Sequence, residues 1–180
     1  MAPMPERPAR AARPLRLLFV CLGNICRSPT AEGVMRALIE REGLDGSIQV
    51  ESAGTGAWHV GSQPDRRASQ AASNRGIVLE GTARQVRSDD FYDFDVLVAM
   101  DRENLSELRR LAPGEAEREK VRLLREFDPA SAGAPAGRDG EQLDVPDPYY
   151  GGPGGFEEVF DLVQAACEGL LDRIRAGEVP

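Results

Sequence analysis

Apolar residues fall in short blocks along this chain. Most blocks lead into polar turn residues and then a stretch whose apolar positions recur every three or four residues. Arg16–Cys21 (RLLFVC) is a compact apolar run of the kind buried on both faces of a parallel sheet. After it, Ser28 is placed to cap a helix and Pro29 to open one. Ala31, Val34, Met35 and Leu38 then follow the i, i+3, i+4, i+7 spacing, and Gly43 ends the pattern. SIQVESA (Ser47–Ala53) predicts a second strand, and Asp65–Asn74 a helix closed by Gly76. DVLVAM (Asp95–Met100) predicts a third strand, followed by a helix that Asp101 opens and Leu105, Leu108 and Leu111 anchor. KVRLLREF (Lys120–Phe127) reads as a fourth strand, and the small, polar Pro129–Gln142 as a mobile surface loop. A last helix starts near Gly155, with Phe156, Val159, Phe160, Val163, Cys167, Leu170, Leu171 and Ile174 on its apolar face.

Strands alternating with helices at this spacing predict an α/β fold with a mostly parallel sheet covered on both faces. The 180 residues suit one domain, from Leu15 to Pro180, preceded by an Arg- and Pro-rich extension over residues 1–14 that reads as disordered. In such sheets ligands collect outside the carboxyl ends of the strands. VCLGNICRSPTAEG (Val20–Gly33) lies at such an end.

Charge narrows the choice of ligand. The net charge of −8 argues against a broad nucleic-acid footprint, and it means that any anionic substrate must be attracted locally. Three cysteines without framework spacing read as reduced thiols in a cytoplasmic protein. LRLLFVCL is too short for a signal-peptide core, and no stretch reaches transmembrane length, so no membrane insertion is expected. With His59 the only histidine, no His-based metal cluster can form, and the chemistry calls for neither metal nor cofactor.

Cys21 ends the first strand, and Arg27 leads into the helix after a loop of five residues. A loop this short can curl so that backbone N–H groups point inward, with the positive helix end behind them. Gly23 permits the torsions, and Asn24 is the natural left-handed position, able to hydrogen-bond loop backbone. Arg27 offers a planar fork for two phosphate oxygens. A cysteine in this setting has its thiolate favoured by helix end, amides and guanidinium together, which suits a nucleophile. VPDPYYGG (Val145–Gly152) adds carboxylates on a loop stiffened by Pro146 and Pro148; residue type alone leaves Asp144 and Asp147 as equal candidates for an acid.

CLGNICRSPTAEG resembles the signature loop of the low-molecular-weight protein tyrosine phosphatases. The likeness extends through SAGTGAWHVG, RGI, ARQV, AMDRENL and DVPDPYYGG, from about Leu15 to Ile174. The resemblance implies a three-layer α/β sandwich with a four-stranded parallel sheet flanked by helices, in a flavodoxin-like topology. It implies hydrolysis of phosphotyrosine and small aryl phosphates through a phosphocysteine on Cys21. Arg27, with the loop residues Leu22, Gly23, Asn24, Ile25 and Cys26, would bind the phosphoryl group, and Asp147 would act as acid and then base. Ser28 would donate to the Cys21 sulfur and Asn24 brace the loop. Trp58, Tyr149 and Tyr150 would wall in a flat ring, and Cys26 would form a reversible disulfide with Cys21. Its partners would be a phosphotyrosine-containing protein, with a bacterial tyrosine kinase as one candidate, and inorganic phosphate or other oxyanion inhibitors. Cys167, on the apolar helix face, reads as core.

Two departures bear on this. Many relatives carry histidine near Gly81, which puts a local hydrogen-bond network in doubt. Protein arginine phosphatases of the same family carry threonine where this chain has Ile25, and the apolar side chain favours phosphotyrosine. Arsenate reductases, a third reading, need further shuttle cysteines, for which Cys167 is poorly placed.

Overall fold

The computed structural model of the chain describes residues 13–131, 143–152 and 154–180. Four parallel strands, β1 (Leu15–Cys21), β2 (Ile48–Gly54), β3 (Val96–Ala99) and β4 (Val121–Leu123), form one sheet in the order β2-β1-β3-β4. β1 is central, with Leu17 opposite Val50 on one side and Val96 on the other, and its apolar run is buried on both faces as predicted. Side chains alternate along it. Leu17, Phe19 and Cys21 face helices α1 (Arg27–Arg41) and α6 (Gly155–Arg175), while Leu18 and Val20 face Phe91, Phe94 and Leu108. The result is the expected sandwich: helices α3 (Asp90–Asp93) and α4 (Arg102–Leu111) lie on the second face. Helices α2 (Arg66–Ser73) and α5 (Glu115–Arg118) complete the set among the described residues.

Two expectations need correcting. The fourth strand stops at Leu123, and Leu124–Phe127 turns into a 3-10 helix, because Leu124 and Phe127 leave the sheet to pack with α6 in the core. Ser28 does not cap α1. The helix begins at Arg27 with Cys26 in the capping position and no side-chain cap, since the Ser28 hydroxyl faces inward. The extension is described only from Arg13 onward, and residues 132–142 of the expected loop lie outside the described residues; Pro129–Ser131 is a short 3-10 turn. Among the described residues, no helix is long and apolar enough to cross a membrane.

The long α6 closes the core by crossing the 3-10 segment at Gly169. A Cβ there would lie 1.9 Å from the Phe127 carbonyl oxygen, which as backbone cannot move aside alone. Gly169→Ala is therefore expected to destabilise the fold by about 1–3 kcal/mol through overpacking. A thermal melt unchanged from the parent chain would contradict this contact.

Candidate functional site

The carboxyl ends of β1 and β2 build the site together. At the end of β2, Thr55 N–H donates to the Cys21 carbonyl and Gly56 N–H to that of Leu22, both at 2.9 Å. Gly54 allows this approach, because a Cβ would sit 2.7 Å from the Leu22 oxygen. Asn24 takes the left-handed conformation (φ 57°) and folds the loop back on itself. Its backbone N–H reaches the Cys21 sulfur at 3.2 Å. Its carboxamide donates to Ser28 Oγ (2.8 Å) and Ser52 Oγ (3.0 Å) and accepts from the Arg84 backbone N–H (3.0 Å). Both ends of the Asn24 carboxamide are thus bonded in a chain that carries glycine at position 81.

With Asn24 donating into Ser28 Oγ, the hydroxyl proton is left for the Cys21 sulfur at 3.0 Å or the Ala53 carbonyl at 3.4 Å. The N–H groups of Gly23, Ile25 and Cys26 have no acceptor among the described residues, while all three residues line a cavity of about 420 Å³. The loop is thus a ring of free donors with a sulfur at its edge, backed by the start of a 15-residue helix.

Arg27 is almost fully buried, and its Nη1 donates to Asp101 Oδ2 (2.5 Å) and to the Val145 carbonyl (3.0 Å). Its Nη2 lies 3.6 Å from Asp147 Oδ2. Burial disfavours its charge, but Cys21, Asp101 and Asp147 outweigh burial and hold its pKa above the ordinary value. Residue-level reading took Asp101 only as a helix opener. It does both jobs: Oδ1 caps α4 through the Asn104 N–H (2.7 Å) while Oδ2 fixes Arg27. Its place at the end of β3 in an α/β sheet was the available signal.

The same cavity is lined by Cys21, Leu22, Arg27, Trp58, His59, Asp147, Tyr149 and Tyr150. Asp147 is 43% exposed, and its Oδ1 accepts the Tyr149 N–H at 3.0 Å. Asp144 instead accepts the Arg102 N–H at 3.0 Å and does not line this cavity. Tyr149 is half-buried and meets Tyr150 edge to face at 4.8 Å, with the Arg67 guanidinium 5.3 Å from its ring. Trp58 (76% exposed) and Tyr150 (93%) stand at the mouth, so neither packs in the core.

Asn24 and Ser28, expected among the substrate-binding residues, lie behind the loop wall and do not line the cavity; both are buried and joined by one hydrogen bond. His59, which residue-level reading left outside the site, lies against Gly23 and 6.0 Å from the Tyr149 ring. The three cysteines are free thiols, and Cys167 is wholly buried facing Ala31, where it cannot relay a disulfide outward. Among the described residues, no group of three or more His, Cys, Asp or Glu is placed to hold a metal ion.

Burial, with help from Asp65, Cys21 and Asp147, pushes the Cys26 thiol up to about 12 against an opposing Arg67, and burial also raises Cys167. The folded chain keeps these protons at pH values where the unfolded chain loses them. Stability is therefore expected to fall as pH rises through about 9 toward about 12. Denaturation midpoints between about pH 8 and about pH 10.5 should fall less steeply in Cys26→Ala than in the parent chain. Equal slopes would contradict desolvation of that thiol.

Residues 16–179 match the family described as low molecular weight phosphotyrosine protein phosphatase. A low molecular weight protein-tyrosine-phosphatase of Streptomyces coelicolor is 49% identical over 160 residues, covering 89% of this chain and 93% of that one. A crystal structure of an Entamoeba histolytica protein tyrosine phosphatase, with Hepes in its active site, superposes with a TM-score of 0.83 at 39% identity, over 91% of this chain and 99% of the other. A Drosophila arginine phosphatase superposes with a TM-score of 0.78 at 34% identity, over 89% and 98% of the two chains.

Proposed function

The chain belongs to the low molecular weight phosphotyrosine protein phosphatase family, and on that premise we propose that it hydrolyses phosphotyrosine in proteins through a covalent intermediate on Cys21. The observation that carries this reading is the meeting of Cys21, Arg27, Asp147 and unbonded loop amides around one cavity. The cavity takes a phosphoryl dianion at its floor, where amides, helix end and guanidinium supply the positive field that the protein's net charge lacks.

The Cys21 sulfur attacks phosphorus in line with the aryl oxygen. The sulfur–phosphorus bond forms as the phosphorus–oxygen bond breaks, and Asp147 gives its proton to the departing phenolate. Phenol leaves and water takes its place. Asp147, now a carboxylate, accepts a proton from that water as its oxygen attacks phosphorus, and the sulfur departs with its bonding pair. The Ser28 hydroxyl, 3.0 Å from the sulfur, donates to it as negative charge returns there. Arg27 and the amides hold the three equatorial oxygens in both steps. Trp58 and the Tyr149–Tyr150 pair offer aromatic faces to a phenyl ring, which favours aryl over alkyl phosphates.

The likeness to an arginine phosphatase gives a second reading the same chemistry with a phosphoguanidine substrate. Ile25 separates the two. It presents an apolar wall to the cavity, which suits a ring and gives a guanidinium no hydrogen-bond partner.

Cys21→Ser is expected to lower turnover on the order of a thousand-fold or more while vanadate still binds. Asp147→Asn should cost about 100-fold on phenolates of high basicity and much less on p-nitrophenolate. Phosphotyrosine should be turned over in preference to phosphoarginine. Substantial activity in Cys21→Ser, equal losses across leaving groups in Asp147→Asn, or a phosphoarginine preference would each remove one part of the reading.

A further inference from the structure

A second groove of about 370 Å³ adjoins the phosphate cavity and shares Leu22, Arg27, Trp58 and Asp147 with it. Its outer side is formed by α4 and is acidic, with Asp101, Glu103 and Glu107. Glu103 and Glu107 are one turn apart and share a helix face. Glu107 is paired through both oxygens with Arg110 (3.0 Å to Nε, 2.5 Å to Nη2), and Glu103 has no partner among the described residues.

Asn104 lines the same groove and is only 3% exposed. Its side-chain oxygen is buried with no hydrogen-bond partner, and its side-chain nitrogen has none among the described residues either. Helix electrostatics accounts for Glu103 in the first turn of α4. The Arg110 pair accounts for Glu107, but nothing in the helix accounts for a buried carboxamide left idle. The α4 cap uses only the backbone N–H of Asn104. A buried polar group without a partner is costly, and a donor brought into the groove would relieve that cost.

We propose that this groove receives the side chain of an arginine close in sequence to the phosphotyrosine of the substrate, an inference that rests on the phosphatase reading above. Glu103 supplies the free countercharge, with Glu107 beside it already paired to Arg110. The Asn104 carboxamide, turned about its terminal bond so that the enclosed oxygen faces the groove, supplies a neutral acceptor, and the exposed Trp58 lining both depressions supplies a face for the guanidinium plane. An arginine brings five donors in a planar fork, which several acceptors along one helix face can share. A lysine ammonium would reach fewer of them at once. An acidic neighbour of the phosphotyrosine would meet like charge instead. The substrate is then read as a pair of opposite charges, a dianion over Arg27 and a cation beside α4.

The test compares kcat/KM for phosphotyrosine peptides carrying Arg, Lys, Ala or Glu at each position flanking the phosphotyrosine, with p-nitrophenyl phosphate as the substrate without flanks. At one or more positions Arg should exceed Glu by about five-fold or more, with Lys between, and the difference should shrink as salt rises. Glu103→Gln should bring the Arg-to-Glu ratio toward one. In the Cys21→Ser chain the Arg peptide, and not the Glu peptide, should shift the side-chain amide resonances of Asn104. No charge preference at any position, a ratio indifferent to Glu103→Gln, or an Asn104 resonance indifferent to the Arg peptide would overturn the groove. Failure of the parent chain on p-nitrophenyl phosphate and on every peptide would be a different result, and it would overturn the phosphatase reading itself.

Discussion

Arg27 is anchored at one end of its guanidinium and open at the other. Asp101 and the Val145 carbonyl hold Nη1, and Nη2 turns toward the cavity and Asp147. Three separate pieces of chain meet at this group: the β1–α1 loop, the start of α4, and the segment carrying Asp147. An arginine buried this far is tolerable only if its charge is matched, which the two aspartates do, while Asp101 and the Val145 carbonyl take the Nη1 donors. The match is deliberately unequal in its geometry. Asp101 is bonded closely and is fixed by its own cap, whereas Asp147 stands further off on a half-exposed loop. On the proposed phosphatase reading, a dianion arriving at the cavity would address the same nitrogen as Asp147, so Arg27 would hold ligand and carboxyl side by side.

What the chain disclosed by itself was governed by period and residue type. The buried run of β1, the spacing of α1 and α6, and the loop from Cys21 to Arg27 are local patterns, and each formed where expected. The errors arose where a side chain had two possible employers. Ser28 sits where a cap is customary, yet its hydroxyl bonds inward to the Cys21 sulfur, because Asn24 and the end of β2 surround it there. Leu124 and Phe127 look like the continuation of a strand, but α6 offers them a deeper place. Asp101 and His59 are set by residues far away in sequence, Arg27 and Tyr149, and no local pattern announces such a meeting. Choosing Asp147 over Asp144 needed either a family resemblance or coordinates.

The loop itself poses a physical problem that Asn24 solves. Inward-facing N–H groups without acceptors oppose one another, and a short chain would relax to bond them internally. Glycine would accept the left-handed torsion at residue 24 equally well, but it would leave the curl free to open. The asparagine side chain instead ties the turn to Ser28 on α1, Ser52 on β2 and the backbone at Arg84. Those are three different parts of the fold. The alignment of the donors is thus settled during folding by contacts remote from the cavity, so no reorientation is left for the moment when charge develops on a ligand. Sheet, turn and helix end act as one preorganised dipole array. The same rigidity lets a protein of net charge −8 offer an anion fixed donors: they are backbone dipoles and one buried guanidinium, at distances where a diffuse surface charge counts for little.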